Sequence, residues 1–118
     1  MDRNERRRHR RYDSLNFVSY ICSDIDGSLL EEGMGRTLNI SKGGILLETT
    51  ASINPRNLLV LGIGLKDEIA DIKGEVIYSR NCDGGTIESG IQFLEIEEES
   101  LPILERYIEA FREQELRL

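Results

Sequence analysis

The stretch Arg6-Arg7-Arg8-His9-Arg10-Arg11 sets guanidinium groups four positions apart in two registers, Arg6 with Arg10 and Arg7 with Arg11. In an extended chain such a pair lies about 13 Å apart on one side, and a bend brings both onto one anion. A guanidinium donates two hydrogen bonds from a planar fork to a phosphate or a guanine edge, and its face stacks on a base. The alternative is a solvated basic tail. A second stretch, Asn39-Ile40-Ser41-Lys42-Gly43-Gly44, has the form N-x-S-x-x-G. Asn39 and Ser41 are two apart, so at a strand end they point to one face with groups that donate or accept hydrogen bonds. Gly44 lets the backbone approach a ligand closely and offer its N–H. The alternative here is a structural turn capped by its own side chains.

The charge distribution narrows the ligand class. The 118 residues carry 15 Lys and Arg against 22 Asp and Glu, a formal net charge of -7. Residues 1–12 hold six arginines against Asp2 and Glu5, a net +4, which leaves -11 on the remaining 106 residues. An acidic body repels a long polyanion lying across it, so the arm is expected to take a small anion and no nucleic-acid polymer.

Catalysis has little to work with. His9, the single histidine, sits within the arginine run, so a Ser/His/Asp or Cys/His constellation would have to be built on the arm. Many of the carboxylates fall at Asp24 and Asp26 or in the C-terminal segment, where a solvated face explains them, and no enzymatic activity is expected. Cys22 and Cys82 are isolated, which indicates neither a zinc site nor a disulfide framework and suits a reducing cytoplasm. No apolar run approaches the roughly 18 to 20 residues that cross a bilayer, so membrane insertion and secretion are not expected.

The elements that must position these side chains are short strands. Leu15 to Cys22 is rich in β-branched and aromatic residues and reads as a first strand. Asp26-Gly27-Ser28 is a turn, Met34 to Ile40 a second strand, and Ile45 to Thr49 a third after the glycine-rich turn. Leu58 to Ile63 is an apolar run too short for a good helix. Ile69 to Tyr78 alternates, with Ile72, Gly74, Val76 and Tyr78 on one face and Lys73, Glu75 and Ile77 on the other. Asn81-Cys82-Asp83-Gly84-Gly85 is a hairpin turn and Thr86 to Phe93 completes the hairpin. Five or six such strands predict an antiparallel sandwich or small barrel.

The period then changes. Leu101, Leu104, Tyr107, Ile108 and Phe111 fall at helical spacing, with Ser100 as N-cap, Pro102 in the first turn and Glu97-Glu98-Glu99 beside the positive end of the dipole. An amphipathic helix over about 98–116 is predicted to pack its apolar stripe on the barrel. The organisation is an arginine-rich arm at 1–12, expected to be mobile without ligand, and a single domain at 13–118.

The order and spacing of these motifs resembles the PilZ domain family. An Arg-x-x-x-Arg arm precedes the first strand, and 28 positions after Arg11 an N-x-S-x-x-G turn opens the strand Gly44-Ile45-Leu46-Leu47. The segments Glu75-Val76-Ile77-Tyr78-Ser79-Arg80 and Ser89-Gly90-Ile91-Gln92-Phe93-Leu94-Glu95-Ile96, with the closing helix, look like that family's last strands and C-terminus. The resemblance spans nearly the whole chain. It implies a six-stranded antiparallel β-barrel that binds the bacterial second messenger cyclic di-GMP as its ligand, without a cofactor.

Carried over by position, the resemblance makes Arg7 and Arg11 the arginines that contact phosphates and the guanine Hoogsteen edge. Asn39, Ser41 and Gly44 match the second motif, with Asn39 where many members have Asp. The exchange replaces an acceptor-only carboxylate with an amide that donates and accepts. Arg6 matches a position where some members reach a second ligand copy, and Tyr78 one where an aromatic stacks on guanine, the alternative being an ordinary core tyrosine. The implied mechanism is an arm drawn over the barrel mouth by the dinucleotide, changing a surface read by a protein effector that is a separate molecule. A monomer or weak homodimer is expected. The rival reading is a PilZ-like protein adaptor that binds no nucleotide.

Overall fold

The computed structural model describes residues 16–117 of the chain. The arm with Arg6, Arg7, Arg10 and Arg11 lies outside the described residues.

Six strands form an antiparallel closed barrel: β1 (Phe17–Ser23), β2 (Leu29–Ile40), β3 (Gly44–Thr49), β4 (Leu58–Leu65), β5 (Glu68–Asn81) and β6 (Ile87–Phe93). One helix, α1 (Leu101–Arg117), follows. The strands are ordered β1-β2-β3-β6-β5-β4 around the barrel. The first three and the last three are each a meander, and the connection over residues 50–57 carries the chain from one to the other.

Alternation places the core. Val18, Tyr20 and Cys22 of β1, Ile45 and Leu47 of β3, Leu59, Leu61 and Ile63 of β4, Ile72 and Val76 of β5, and Ile91 and Phe93 of β6 point inward and are buried. The apolar run Leu58 to Ile63 is a strand with period-2 burial, its outward Val60 being 37% exposed. Burying each such side chain contributes roughly 1.5–3 kcal/mol, which is what closes the sheet on itself.

The two barrel ends are filled differently. At one end the β3–β4 connection turns inward: Ile53 is buried, its carbonyl accepts from Ser79 Oγ at 2.6 Å, and Arg56 and Asn57 exchange backbone bonds with Val76. At the other, α1 buries Leu104, Tyr107, Ile108 and Phe111. Thr37 and Tyr107 share a hydroxyl hydrogen bond of 3.0 Å inside that plug. Outside it, Lys42 pairs with Glu105 at 3.1 Å, Arg106 with Glu68, and Gln114 Nε2 donates to Asn16 Oδ1 at 2.8 Å.

Ser100 stands at the N-cap position, its carbonyl accepting the first helical bond from Leu104 N at 3.0 Å. The helix proper starts at Leu101, later than position 98, because Glu97 to Ser100 form a turn that delivers the cap. The acidic run therefore precedes the first helical turn, which itself holds no acidic residue.

Two further expectations are corrected. β2 begins at Leu29, not Met34; Leu29 and Glu31 to Met34 pair with β1 around a bulge at Leu30, yet all six residues are exposed, so no alternation marks them. Tyr78 does not share the inward face of Val76. A β-bulge between Val76 and Tyr78 inserts Ile77 as an extra residue, which reverses the parity so that Tyr78 points out and Ser79 takes the inner side.

Candidate ligand groove at the β2–β3 turn

Another bulge lies three strands away on β2, between Thr37 and Asn39. It reverses parity there as the bulge at Ile77 does on β5, so Asn39 is exposed while Thr37 and Ile40 are buried. The registers then align one outward row across four strands: Asn39 opposite Leu46, Leu46 opposite Gly90, and Gly90 opposite Tyr78. At about 4.8 Å per strand the row places Asn39 and Tyr78 roughly 14 Å apart. The row floors an open groove of about 460 Å³, whose lining also includes Ser41, Gly44 and Gln92.

Each member has a local cause. Asn39 Oδ1 accepts from Ile40 N at 2.9 Å, which fixes the amide and leaves its nitrogen with no partner among the described residues. Ser41 Oγ accepts from Gly43 N at 3.2 Å, and Ser41 N donates to Gly44 O at 2.9 Å, so the turn is tied by its own groups while the hydroxyl keeps its proton to donate. Gly44 is required by the sheet: a Cβ there would lie 2.3 Å from Ile91 O, a fixed backbone atom. At Gly90 a Cβ would lie 2.3 Å from Tyr78 Cε2, so the Tyr78 ring rests on bare backbone. That ring remains 47% exposed at the far end of the groove.

The next outward row is charged. Arg36, Glu48, Glu88 and Arg80 stand side by side on β2, β3, β6 and β5. Arg36 Nε binds Glu48 at 3.2 Å, and Arg80 binds Glu88 through Nε and Nη2 at 3.0 and 2.8 Å. The hydrogen bond to Glu88, followed by its charge, raises the Arg80 pKa. With Lys42 held by Glu105, these three cations beside the groove are already matched by carboxylates.

The barrel end matters for the arm. Phe17 opens β1 opposite Arg36, three residues along β2 from Asn39, so β1 starts on the side of the turn motif. Arg11 is six residues before Phe17, a span of up to about 20 Å.

A larger hollow of about 670 Å³ runs along α1 from Lys42 to Arg112. Its cations alternate with Glu105 and Glu109, and none of Asn39, Ser41, Gly44 or Tyr78 lines it. Among the described residues no group of three or more His, Cys, Asp or Glu could hold a metal ion, and no helix is long and apolar enough to cross a membrane. Burial first, then Glu31, pushes the Cys22 thiol up, which makes it a poor nucleophile.

Against known families, the model for the PilZ domain matches residues 5–110. The chain belongs to the PilZ domain family. It is the cyclic di-GMP receptor family, whose domains are binding and adaptor domains. No curated protein and no solved structure matches the chain. The match to the PilZ domain begins at Glu5 and so takes in the arginine run. Leu46, Gly90, Ile77 and Gln92 are groove residues that sequence reasoning did not single out. Gly90 was the available signal, since a lone glycine within a strand pattern marks close approach by another group.

Proposed function

We propose that this PilZ domain is a cyclic di-GMP receptor in which Arg7 and Arg11 close over the groove. The reading rests on one observation above others: Asn39 and Tyr78 end a single outward row on the barrel side where β1 starts. The ligand is a dianion with two purine faces. The cations Arg36, Arg80 and Lys42 are bound to carboxylates, so unpaired positive charge must come from the arm.

In this scheme Arg7 and Arg11 donate to phosphate oxygens and to the Hoogsteen edge of guanine. The Asn39 amide nitrogen, its oxygen engaged by Ile40, donates to a guanine acceptor, and the Ser41 hydroxyl donates beside it. Gly44 keeps the turn close against β6. Tyr78 stacks on a guanine face, and Arg6 serves a second ligand copy. Ordering the arm changes the surface around Asn16 and α1, which the hydrogen bond from Gln114 already joins, and a protein effector reads that change.

The test is a calorimetric titration of the full chain with cyclic di-GMP, GTP and cyclic di-AMP, repeated with Arg7→Ala and Arg11→Ala. Selective heat with cyclic di-GMP, lost in both variants at unchanged melting temperature, is expected. Ser41→Ala weakens binding by only about 0.5–1.5 kcal/mol, one neutral hydrogen bond. Wild-type affinity in both arginine variants moves the site elsewhere, and no heat with any nucleotide favours a PilZ adaptor that binds protein alone.

A further inference from the structure

We propose that the free edge of β2 at Leu29–Met34 takes up an extended segment of a partner protein as an added strand, with a basic residue flanked by apolar ones. β2 pairs with β1 from Leu29 to Arg36 but with β3 only from Arg36 onward. Leu29 to Met34 therefore have a strand on one side and, among the described residues, none on the other. All six are exposed, Leu29, Leu30 and Met34 by 62%, 51% and 58%.

The cause lies in the β3–β4 connection. Where β3 could have run on beside β2, the chain instead turns inward to bury Ile53 and to bond Ser79 and Val76 of β5. The edge is left with a row of backbone donors and acceptors, the template on which strand addition works.

Side chains on the edge select the occupant. Glu32 and Met34 share the outward face, opposite Ile21 and Ser19 of β1. Beyond the bulge that makes Leu30 an extra residue, the register returns Leu29 to that face, opposite Ser23. Ile21, opposite Glu32 on β1, extends that apolar surface and is 49% exposed. A second copy of the chain fits poorly: the antiparallel register centred on Glu32 sets that carboxylate on its own copy, and the neighbouring register sets Glu31 on Glu32 twice. The complement is a strand with Lys or Arg opposite Glu32 and apolar residues to either side, facing Met34 and, across the bulge, Leu29. This edge lies at the opposite end of β2 from Asn39, so the inference goes beyond the nucleotide reading and stands or falls separately from it.

The probe is the acetylated peptide Thr-Val-Thr-Lys-Thr-Leu-Thr, with a scrambled version and one carrying Glu for Lys, titrated into the full chain by fluorescence anisotropy. Amide hydrogen exchange locates the contact. The Lys peptide should bind at least tenfold more tightly than the Glu and scrambled peptides and slow exchange at Leu29–Met34. Glu32→Lys, an exposed substitution checked by its melting temperature, should reverse the preference. No binding of the Lys peptide, equal binding of all three, or protection confined to the groove would overturn the proposal. So would a dimer of the chain that protects the same amides.

Discussion

Adding one methyl group at Gly90, and separately at Gly44, distinguishes a ligand-contacting floor from a structural frame. At Gly90 the new Cβ would fall 2.3 Å from Tyr78 Cε2, and the ring it strikes is 47% exposed and can rotate away. A displaced rotamer costs about 0.5–1.5 kcal/mol, and for a domain of this size each kcal/mol moves the melting temperature by roughly 3–6 °C. At Gly44 the obstacle is Ile91 O, held in β6, so the strands must part at a cost of about 1–3 kcal/mol. Binding should respond differently. If Tyr78 stacks on guanine, moving it forfeits about 1–3 kcal/mol, roughly 5- to 150-fold in affinity. Paired calorimetry with cyclic di-GMP and thermal melts on Gly90→Ala, Gly44→Ala, Tyr78→Ala and Tyr78→Phe give the comparison. Gly90→Ala and Tyr78→Ala should lose similar affinity at small thermal cost, Gly44→Ala should melt lowest, and Tyr78→Phe should bind like the parent. Unchanged affinity in Gly90→Ala and Tyr78→Ala would refute the stacking role. An equal thermal loss at Gly90 and Gly44 would refute the claim that the ring yields.

Alkali should destabilise the barrel. Burial lifts the Tyr107 hydroxyl above its ordinary 10.0, and burial with Glu31 and Cys22 does the same to Tyr20. The folded chain then keeps protons that the unfolded chain releases, so stability is fully present below pH 10 and falls as pH rises past it. Melts across pH 8–12 should show the decline, less steep in Tyr107→Phe. Lys66 occupies a two-residue loop between Leu65 and Glu68 with φ of 60°, a left-handed conformation without a glycine. Lys66→Gly should raise stability by about 0.5–1 kcal/mol in chemical denaturation, and a loss would contradict the strain argument. Leu104, wholly buried where α1 plugs the barrel, should cost about 2–5 kcal/mol as Leu104→Ala, read from the same denaturation curves.

Much of the fold was legible because it was written in period-2 and helical burial. Val18, Tyr20 and Cys22, or Leu104, Tyr107 and Phe111, could be placed by spacing alone. The first half of β2 was not legible, because Leu29 to Met34 bury nothing and so follow no alternation. Tyr78 was assigned the wrong face for another reason: a bulge is a property of two strands together, and the extra residue Ile77 is visible only against β6. The groove was half legible. Asn39, Ser41 and Gly44 announce a turn by type and spacing, whereas the row through Leu46 and Gly90 depends on registers across three strand pairs. The same holds for the Arg36, Glu48, Glu88 and Arg80 row, whose members are far apart in sequence.

The two meanders have a kinetic consequence. Their internal pairings are local hairpins, but the seams between them join Ser19 to Gly62 and Leu46 to Gly90, 43 and 44 positions apart. Closing a loop of that length costs about 1.3 kcal/mol more than closing one of ten residues, and once one seam has formed the other needs little further search. Folding should therefore be limited by a single seam-forming event and proceed in the millisecond-to-second range usual for barrels rich in non-local pairs. The groove straddles the second seam, with Leu46 on one side and Gly90 on the other. A molecule gripped there bridges two halves that come together late, so its occupancy should slow the opening of the barrel and leave the rate of assembly nearly untouched.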